Sequence, residues 1–416
     1  MRFVIVGNSA AAVAAVETLR RLGGGGDHRI TVVADEPVHA YARCLLPDVL
    51  AGKRSGPSIA LRPAGFYRRL GVDLLAGVAA VELRPGEKVL VLRDGREVGY
   101  DRLLVATGAA PVLPELPGVE REGVFTLRTL GDVQGMAALL PRVRLAVVAG
   151  GGLVGLKAAY ALKEAGVERV TVAVASPRLL TRQLDEEAAA MVEKELAGMG
   201  LEFVYNARPA AFAGDSRGAL AKVALADGRE LPAELALVAK GVRPNTALVE
   251  RAGGRTGRGI VVDARLRTTL EDVFAAGDCI EVTDRLTGRK TNSALWTLAS
   301  EQGRCAAANM LGRASFYPPP LTRLNSARFG SVNVISAGEL EGTKVLARYD
   351  AMSNTYRRFV FAGERLAGFI LAGRVVDGAG VYTALVKSGR PARHLAGDLM
   401  EGRAGPAAVR NLFGLG

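Results

Sequence analysis

Residues 145–165 of this 416-residue chain read LAVVAGGGLVGLKAAYALKEA. The apolar run Leu145 to Ala149 predicts a buried strand, and the residues from Leu153 to about Ala165 have the spacing of a helix. Between them lies Gly150-x-Gly152-x-x-Gly155, whose glycines let the backbone approach a pyrophosphate at the N-terminus of the helix. This segment therefore predicts a Rossmann-type nucleotide-binding unit.

The N-terminal residues have the same order of elements. Arg2 to Val6 predicts a strand, Gly7-x-Ser9-x-x-Ala12 is a relaxed glycine turn, and a small-residue helix runs through Arg21. A second strand, Ile30 to Val33, follows a glycine-rich loop. One glycine motif is weak evidence, but two copies, each between a strand and a helix, predict two nucleotide-binding domains.

Both copies continue with the same hairpin signal. In the first copy the sequence predicts a hairpin from Lys88 to Leu92, through Asp94-Gly95, to Asp101 to Val105. In the second copy Asp227-Gly228 is the turn, and each copy closes on a glycine. The repeated order strengthens the prediction of two related domains.

A third segment, Thr268 to Cys279, predicts a strand ending at Gly277-Asp278 with no glycine turn before it. The simplest topology returns the chain to the first domain. The predicted fold is therefore α/β, with two Rossmann-like (three-layer ββα) domains, the second inserted in the first, and a C-terminal α+β domain. The predicted boundaries are 1–112 with 246–317, 113–245, and 318–416.

The end of each second strand is where an acidic residue can bind the adenosine ribose. Asp35 and Glu36 are at this position in the first copy. The second copy has Val174-Ala175-Ser176, with no acid and with Arg178 close by. The sequence is compatible with both NADH and NADPH and slightly favours NADPH. Alternatively, Ser176 and Arg178 belong to an ordinary polar loop that does not bind the nucleotide.

Five motifs in a fixed order make the sequence resemble the FAD-dependent pyridine nucleotide-disulfide oxidoreductase superfamily over essentially its whole length. They are Ala106-Thr107-Gly108, Leu127-Arg128-Thr129-Leu130 with Asp132, Gly150 to Gly155, Gly241-Val242-Arg243-Pro244-Asn245, and Ala276-Gly277-Asp278. The resemblance implies an oxidoreductase with FAD in the first copy and NADH or NADPH in the second. The C-terminal portion resembles the interface-forming domain of the superfamily, which implies a homodimer.

The resemblance also implies which residues contact the cofactors. Those implied for FAD are Gly7, Ser9, Ala10, Ala11, Asp35, Glu36, Arg43, Ala79, Thr107, Gly108, Arg128, Gly277, Asp278 and Trp296. Those implied for the nicotinamide nucleotide are Gly150, Gly152, Leu153, Val154, Gly155, Ser176, Arg178 and Gly241. Without the resemblance, Trp296 alone would be interpreted as a core aromatic residue.

The segment Tyr41 to Asp48 occupies the place where members of the superfamily present redox groups to the flavin. Cys44 with Leu46-Pro47 is similar to the single-cysteine motif of CoA-disulfide and persulfide reductases and NADH oxidases. Tyr41-x-Arg43 is similar to the flavin-binding stretch of the nitrite-reductase and rubredoxin-reductase types. A redox-active Cys44 needs thiolate character from positive neighbours such as Arg43; a small packed cysteine that is never oxidised is the alternative.

Lys157 stands where the superfamily commonly carries a glutamate. We hypothesise that Lys157 approaches the flavin N5 region, pairs with an acid such as Asp48, and stabilises a reduced, anionic flavin. A solvated lysine on the helix face is the alternative.

The resemblance implies that hydride passes from the nicotinamide to flavin N5. The predicted enzyme is an FAD-dependent NAD(P)H oxidoreductase whose acceptor is an iron–sulfur carrier such as ferredoxin or rubredoxin. One alternative is a CoA-disulfide or persulfide reductase, or an NADH oxidase, that uses Cys44 as the redox thiol. Another is a flavin relay subunit of a larger redox complex.

The amino-acid composition limits the possible partners, metal sites and location of the protein. The net charge of +12 suits an acidic carrier protein, but the arginines are spread along the chain, and we expect no nucleic acid as partner. Cys44, Cys279 and Cys305 are far apart, which argues against a disulfide scaffold or a bound metal. No apolar run approaches the ~18 residues of a membrane span, so we expect a cytoplasmic protein.

Overall fold

The computed structural model describes residues 1–24, 28–374 and 376–403. Contacts divide the chain into two compact units. The first comprises Met1–Arg43, Ser55–Ala110 and Val242–Thr322; the second comprises Cys44–Arg54, Pro111–Gly241 and the residues from Arg323 onward. Because the second unit combines the predicted nicotinamide domain with the predicted C-terminal domain, the three-domain boundaries stay a prediction.

The secondary structure alternates between strands and helices through most of the chain. The strands are β1 (Arg2–Val6), β2 (Arg29–Ala34), β3 (Val72–Ala76), β4 (Ala80–Arg84), β5 (Val89–Leu92), β6 (Glu97–Gly99), β7 (Arg102–Val105), β8 (Ala109–Pro111), β9 (Val124–Phe125), β10 (Leu145–Ala149), β11 (Arg169–Val174), β12 (Leu201–Tyr205), β13 (Pro209–Gly214), β14 (Leu220–Leu225), β15 (Glu230–Pro232), β16 (Leu235–Val238), β17 (Val242–Pro244), β18 (Val273–Ala275), β19 (Val282–Thr283), β20 (Lys290–Thr291), β21 (Leu324–Phe329), β22 (Val332–Gly338), β23 (Lys344–Asp350), β24 (Thr355–Ala362) and β25 (Arg365–Gly373). The helices are α1 (Ala10–Leu22), α2 (Leu46–Leu50), α3 (Phe66–Arg69), α4 (Leu130–Leu139), α5 (Leu153–Glu164), α6 (Glu186–Gly198), α7 (Ala247–Arg251), α8 (Trp296–Met310), α9 (Ala379–Ser388) and α10 (Ala396–Glu401).

The first unit is built on a parallel sheet with strand order β18-β7-β1-β2-β3. Every residue of β1 from Phe3 to Val6 is buried, as expected for a parallel strand covered on both faces. Helices α1 and α8 cross closely at Gly303. A Cβ atom at this position would lie 2.1 Å from the carbonyl oxygen of Ala11, so only glycine fits there. The antiparallel sheet β4-β5-β6 completes the predicted Rossmann-like arrangement.

The predicted first hairpin is only half right, and the second, predicted to return through Leu235 to Ala239, has the same error, because β14 pairs with β15 while β16 joins the parallel sheet. Strand β5 pairs with β6, so the return strand of the hairpin is Glu97–Gly99. Strand β7 instead lies in the parallel sheet between β1 and β18. Leu103, Leu104 and Val105 are all buried, and such a continuous apolar run belongs in a sheet that is covered on both faces.

The second unit repeats the plan, with a parallel sheet of order β12-β11-β10-β16-β9 and an antiparallel sheet β13-β14-β15. It also contains the antiparallel C-terminal sheet, of order β21-β22-β25-β24-β23. Asp185, the N-cap of α6, ties that helix to β24: its carboxylate accepts hydrogen bonds from Arg358, at 2.8 Å, and from the Tyr356 hydroxyl. The α/β fold with a C-terminal α+β region is as predicted.

The described residues contain neither a candidate membrane span nor a candidate metal site. Within 1–24, 28–374 and 376–403, no helix combines the length and apolar character that crossing a membrane requires. Over the same residues, no three histidine, cysteine or acidic side chains come together as a possible metal site.

Candidate nucleotide-binding sites

The first glycine turn joins β1 to α1 and has no room for a side chain. Gly7 has a φ of +113°, and a Cβ atom there would lie 2.1 Å from the carbonyl oxygen of Ala106. Ser9 is the N-cap of α1, but its side chain accepts no hydrogen bond from the helix, and the first turn contains no acid. The start of the helix therefore suits an anionic group. The backbone N–H groups of its first turn, which includes Ala10 and Ala11, can donate to such a group, and the helix dipole is positive at this end.

At the end of β2 the structure brings two predicted FAD contacts together. The Glu36 carboxylate is paired with Arg43 at 2.5 Å and accepts a hydrogen bond from the Tyr41 hydroxyl at 2.6 Å. The Arg43 guanidinium also lies 5.0 Å from the centre of the Tyr41 ring. Asp35 is exposed and accepts a hydrogen bond from the backbone N–H of Glu36. Tyr41 belongs to the segment that the resemblance places near the flavin, and its contact with Glu36, which the sequence did not predict, orients that carboxylate.

Thr107 and Gly108 follow β7 and are held by Asn245. The Thr107 hydroxyl donates to the carbonyl oxygen of Asn245, and the Asn245 side-chain amide donates to the carbonyl oxygen of Thr107, both at 2.8 Å. Gly108 has a φ of +67° and accepts a hydrogen bond from the backbone N–H of Asn245. Asn245 lies in one of the motifs that carry the resemblance, but this reciprocal contact was not predicted from the sequence.

The turn after β18 is anchored to α8. Gln302 is 2% exposed, and its side-chain oxygen accepts a hydrogen bond from the Gly277 N–H at 2.8 Å. Asp278 follows and is half-buried. Trp296, the first residue of α8, is 40% exposed, so it is not a core aromatic residue. Ala79 follows β3.

Most of the residues that the resemblance assigned to FAD therefore come after strands of one parallel sheet. Since parallel strands all end at the same edge, the residues after β1, β2, β3, β7 and β18 share that edge. Two of them do not follow these strands: Trp296 begins α8, and Arg128 belongs to the second unit. There its backbone N–H donates to the Asp132 carboxylate at 2.7 Å.

The second glycine turn is tighter than the first. A Cβ atom at Gly155 would lie 1.9 Å from the carbonyl oxygen of Gly150, and one at Gly150, whose φ is +145°, would lie 2.4 Å from that of Ala239. Gly152, the N-cap of α5, differs because a Cβ atom there would meet nothing within 4 Å. Leu153 and Val154 begin the helix, and its first turn carries no acid. Close backbone approach to a pyrophosphate is possible at this turn.

The loop after β11 has its own internal hydrogen bonds. The Ser176 hydroxyl donates to the carbonyl oxygen of Arg178 at 2.8 Å, and the Arg178 guanidinium donates to that of Leu184 at 2.5 Å. Gly241, beyond β16, has a φ of +99°. The two predicted nucleotide contacts thus shape an ordered loop that carries no acid from Val174 to Arg178.

Cys44 is exposed, in the 3-10 turn Arg43–Leu45 that precedes α2. Desolvation of the thiol raises its pKa; a hydrogen bond with its own backbone lowers it, and the charge of Asp48 raises it further. Arg43, the expected source of thiolate character, is paired with Glu36. The surroundings of Cys44 therefore favour the neutral thiol.

Lys157 is half-buried on α5 and does not form the hypothesised ion pair with Asp48. Its ammonium donates to the carbonyl oxygen of Arg328 and lies 5.3 Å from the centre of the Phe329 ring. Asp48 pairs with Arg54 at 3.5 Å instead. Burial lowers the pKa of Lys157, and the more distant charge of Asp48 offsets only part of this effect. Lys157 is therefore only partly shielded from solvent.

Comparisons with known proteins agree with this geometry. A family model described as pyridine nucleotide-disulphide oxidoreductase matches residues 1–303. The assimilatory nitrate reductase electron transfer subunit of Bacillus subtilis (strain 168) is 29% identical over 93% of this chain, which spans only 49% of that protein. The ferredoxin–NAD(+) reductase component of the biphenyl dioxygenase system of Paraburkholderia xenovorans (strain LB400) is 33% identical, with 84% of each chain covered. The structure of an NAD-dependent persulfide reductase from A. fulgidus has a TM-score of 0.86 and 27% identity, over 95% of this chain and 79% of that one.

Proposed function

The chain belongs to the pyridine nucleotide-disulphide oxidoreductase family, and from that premise we propose that it is an FAD-dependent NAD(P)H oxidoreductase that reduces an external iron–sulfur carrier such as ferredoxin or rubredoxin. Bound FAD would supply the conversion of a hydride from NAD(P)H into electrons that leave singly. A homodimer and a cytoplasmic location are part of the same proposal.

The residues of the first unit fit FAD. The turn at Gly7 and the uncapped start of α1 suit its pyrophosphate, and Glu36, held by Tyr41 and Arg43, suits its adenosine ribose. The backbone at Thr107 and the half-buried Asp278 lie at the same edge of the sheet. In the second unit, the turn from Gly150 to Gly155 suits the pyrophosphate of NAD(P)H.

The surroundings of Cys44 favour an external iron–sulfur carrier over a disulfide or persulfide substrate as the electron acceptor. A redox thiol is expected to be held as a thiolate by neighbouring positive charge, whereas desolvation and Asp48 raise the pKa of this one. A ferredoxin reductase component among the relatives supports a carrier protein as acceptor. The net charge of +12 would speed encounter with an acidic carrier.

We expect Cys44→Ser to change NAD(P)H-dependent reduction of ferredoxin or rubredoxin by less than about twofold, because the thiol takes no part in single-electron transfer. Parallel assays with each carrier and with CoA-disulfide would measure the effect. Cys305→Ser, at a buried cysteine, is the matched control for loss of a thiol.

The second candidate is a CoA-disulfide or persulfide reductase, or an NADH oxidase, that uses Cys44. The exposure of Cys44 and the likeness to a persulfide reductase favour it. A long-wavelength charge-transfer band on reduction, together with loss of all reductase activity in Cys44→Ser, would establish the thiol route instead. Activity that appears only with a partner protein would indicate the relay subunit, which the likeness to an electron transfer subunit supports.

Lys157 is the residue of the second unit that we propose to act on the flavin by charge. Its ammonium, held between the Arg328 carbonyl and the Phe329 ring, would stabilise negative charge on the reduced ring. Besides Asp48, the charges that act on it are those of Lys53 and Arg328, which lower its pKa, and of Glu164, which raises it.

We expect Lys157→Gln to slow flavin reduction by NAD(P)H about tenfold, as measured by stopped-flow absorbance. Because burial lowers the pKa of Lys157, its charge is lost at a pH below the ordinary lysine value of 10.5. The wild-type rate should therefore fall as pH rises toward that value, whereas Lys157→Arg should keep a flat profile. An unchanged reduction rate and flavin potential in Lys157→Gln would exclude this role.

A further inference from the structure

Asn8, which lies between Gly7 and the helix cap Ser9, is held in place through both ends of its side-chain amide. The amide oxygen accepts a hydrogen bond from the Tyr67 hydroxyl. The amide nitrogen donates to the carbonyl oxygen of Val38 at 3.3 Å. Asn8 is half-buried. The first glycine turn is therefore held by contacts from outside its own segment of the chain.

Tyr67 is itself fixed by the residues around it. It lies in α3, is only 5% exposed, and belongs to the buried cluster that fills the first unit. Its ring makes an edge-to-face contact with Phe66, with the centroids 5.0 Å apart, and stacks on the His39 ring at 5.8 Å. Burial raises the pKa of the Tyr67 hydroxyl, so this group is protonated at neutral pH. Tyr67 is thus a fixed hydrogen-bond donor.

The contacts of Asn8 join three segments of the first unit. Asn8 belongs to the turn after β1, Tyr67 belongs to α3, and Val38 lies in the loop after β2. The same loop contains Glu36, the carboxylate that suits the adenosine ribose of FAD. The turn for the pyrophosphate and the loop for the ribose are therefore held together by one side-chain amide.

The residues of the turn do not fix its conformation by themselves. Ser9 and Ala12 stand where the complete motif has glycines, and the Ser9 side chain makes no capping hydrogen bond. A pyrophosphate accepts hydrogen bonds from several backbone N–H groups of such a turn at once. If the turn is already ordered, less conformational entropy is lost when the cofactor binds. The contact between Tyr67 and Asn8 supplies that order.

We infer that Tyr67 is a positioning residue for FAD: acting through Asn8, its hydroxyl holds the first glycine turn in the conformation that receives the pyrophosphate. The inference rests on the proposed function in taking FAD as the cofactor of the first unit. It assigns the effect to the hydroxyl oxygen alone. Phenylalanine at this position would keep the ring contacts with Phe66 and His39 and would lose only the hydrogen bond to Asn8.

The test compares the full-length wild-type protein with Tyr67→Phe, Asn8→Ala and the double variant, each loaded with FAD. The rate of FAD release after dilution is measured from the rise in flavin fluorescence, which does not depend on catalysis. Circular dichroism checks that each variant is folded. Tyr100→Phe is the matched control, because it removes a hydroxyl from the same buried cluster. Among the residues that the structure describes, the Tyr100 hydroxyl has no hydrogen-bond partner.

We expect Tyr67→Phe and Asn8→Ala each to speed FAD release about tenfold, because both remove the same hydrogen bond. The double variant should release FAD at the rate of Asn8→Ala, since the hydroxyl then has no partner through which to act. Tyr100→Phe should stay within about twofold of wild type.

Release at the wild-type rate from Tyr67→Phe would overturn the inference, and so would additive effects in the double variant. If Tyr67→Phe does not fold, Asn8→Ala tests the same hydrogen bond from its other end, and a wild-type rate there would equally overturn the inference. A wild-type protein that binds no FAD would instead count against the proposed function itself.

Discussion

Replacing Gly152 with alanine is expected to lower kcat/KM for NAD(P)H about a hundredfold while leaving FAD content and the thermal midpoint unchanged. Gly152 is the N-cap of α5, and a Cβ atom there would meet nothing within 4 Å in the protein. Its backbone angles, φ −89° and ψ 179°, are ordinary for alanine. The added methyl group would therefore conflict only with a pyrophosphate that approaches the turn closely.

This position separates binding from folding, which the other glycines of the motif cannot do. At Gly155 a Cβ atom would lie 1.9 Å from the Gly150 carbonyl oxygen, so the turn itself would have to move. Steady-state kinetics with ferricyanide, together with calorimetric binding of NAD(P)H, would measure the effect of Gly152→Ala. Gly198→Ala, at another open helix end of the same unit, should leave both measurements unchanged. Wild-type kinetics in Gly152→Ala would show that the nucleotide does not bind at this turn.

The positions of these turns could be predicted from sequence because the constraint is local. A strand, a glycine turn and a helix are contiguous in the chain, and the end of a parallel strand marks the binding edge whichever strand lies next to it. Observed β1 and α1 agree with the predicted strand and helix to within a residue or so at most ends. Gly7 and Gly150 could therefore be assigned to the two turns from the local sequence alone.

Contacts between distant segments could not be predicted in the same way. The Asp94-Gly95 turn correctly indicated a hairpin, but local pattern did not reveal that β6 supplies its return strand and that β7 joins the parallel sheet. Lys157 shows the same limit for charge. From the sequence, Asp48 was a possible partner only because its charge is opposite to that of Lys157. In the fold, the ammonium instead contacts the Arg328 carbonyl and the Phe329 ring.

Asn245 and Tyr41 were missed for a related reason. Asn245 bonds to Thr107, which is 138 residues away along the chain, whereas Tyr41 bonds to Glu36 across a loop only five residues away; neither contact has a regular spacing that sequence could reveal. Both residues belong to motifs that carry the resemblance, so the sequence did mark their positions as part of the site. The role of each depended on which group it meets, and only the three-dimensional fold supplies that information.

Within the second unit, Arg358 and Asp185 form a long-range ion pair with little exposure to solvent, and Arg358→Met is expected to cost about 3 kcal/mol of stability. Each side chain is only 14% exposed, and the two are 2.8 Å apart. Removing the guanidinium would leave the Asp185 carboxylate buried with only the Tyr356 hydroxyl and the Ala188 N–H as donors. Because Asp185 caps α6, protection of the α6 amides against hydrogen exchange should fall by a comparable free energy.

A double-mutant cycle with Asp185→Asn tests the cause of that loss. Asparagine keeps an oxygen that can cap α6, so the cycle isolates the ion pair from the cap. The double variant should be more stable than the sum of the single losses predicts, since it has no uncompensated buried charge. Arg142→Met, at an exposed pair in which Arg142 and Glu122 are 69% and 76% accessible, should cost less than about 0.5 kcal/mol. If Arg358→Met and Arg142→Met had similar small effects, the attachment of α6 to β24 would have to come from apolar packing, and the buried pair would serve only to fix the register of the contact.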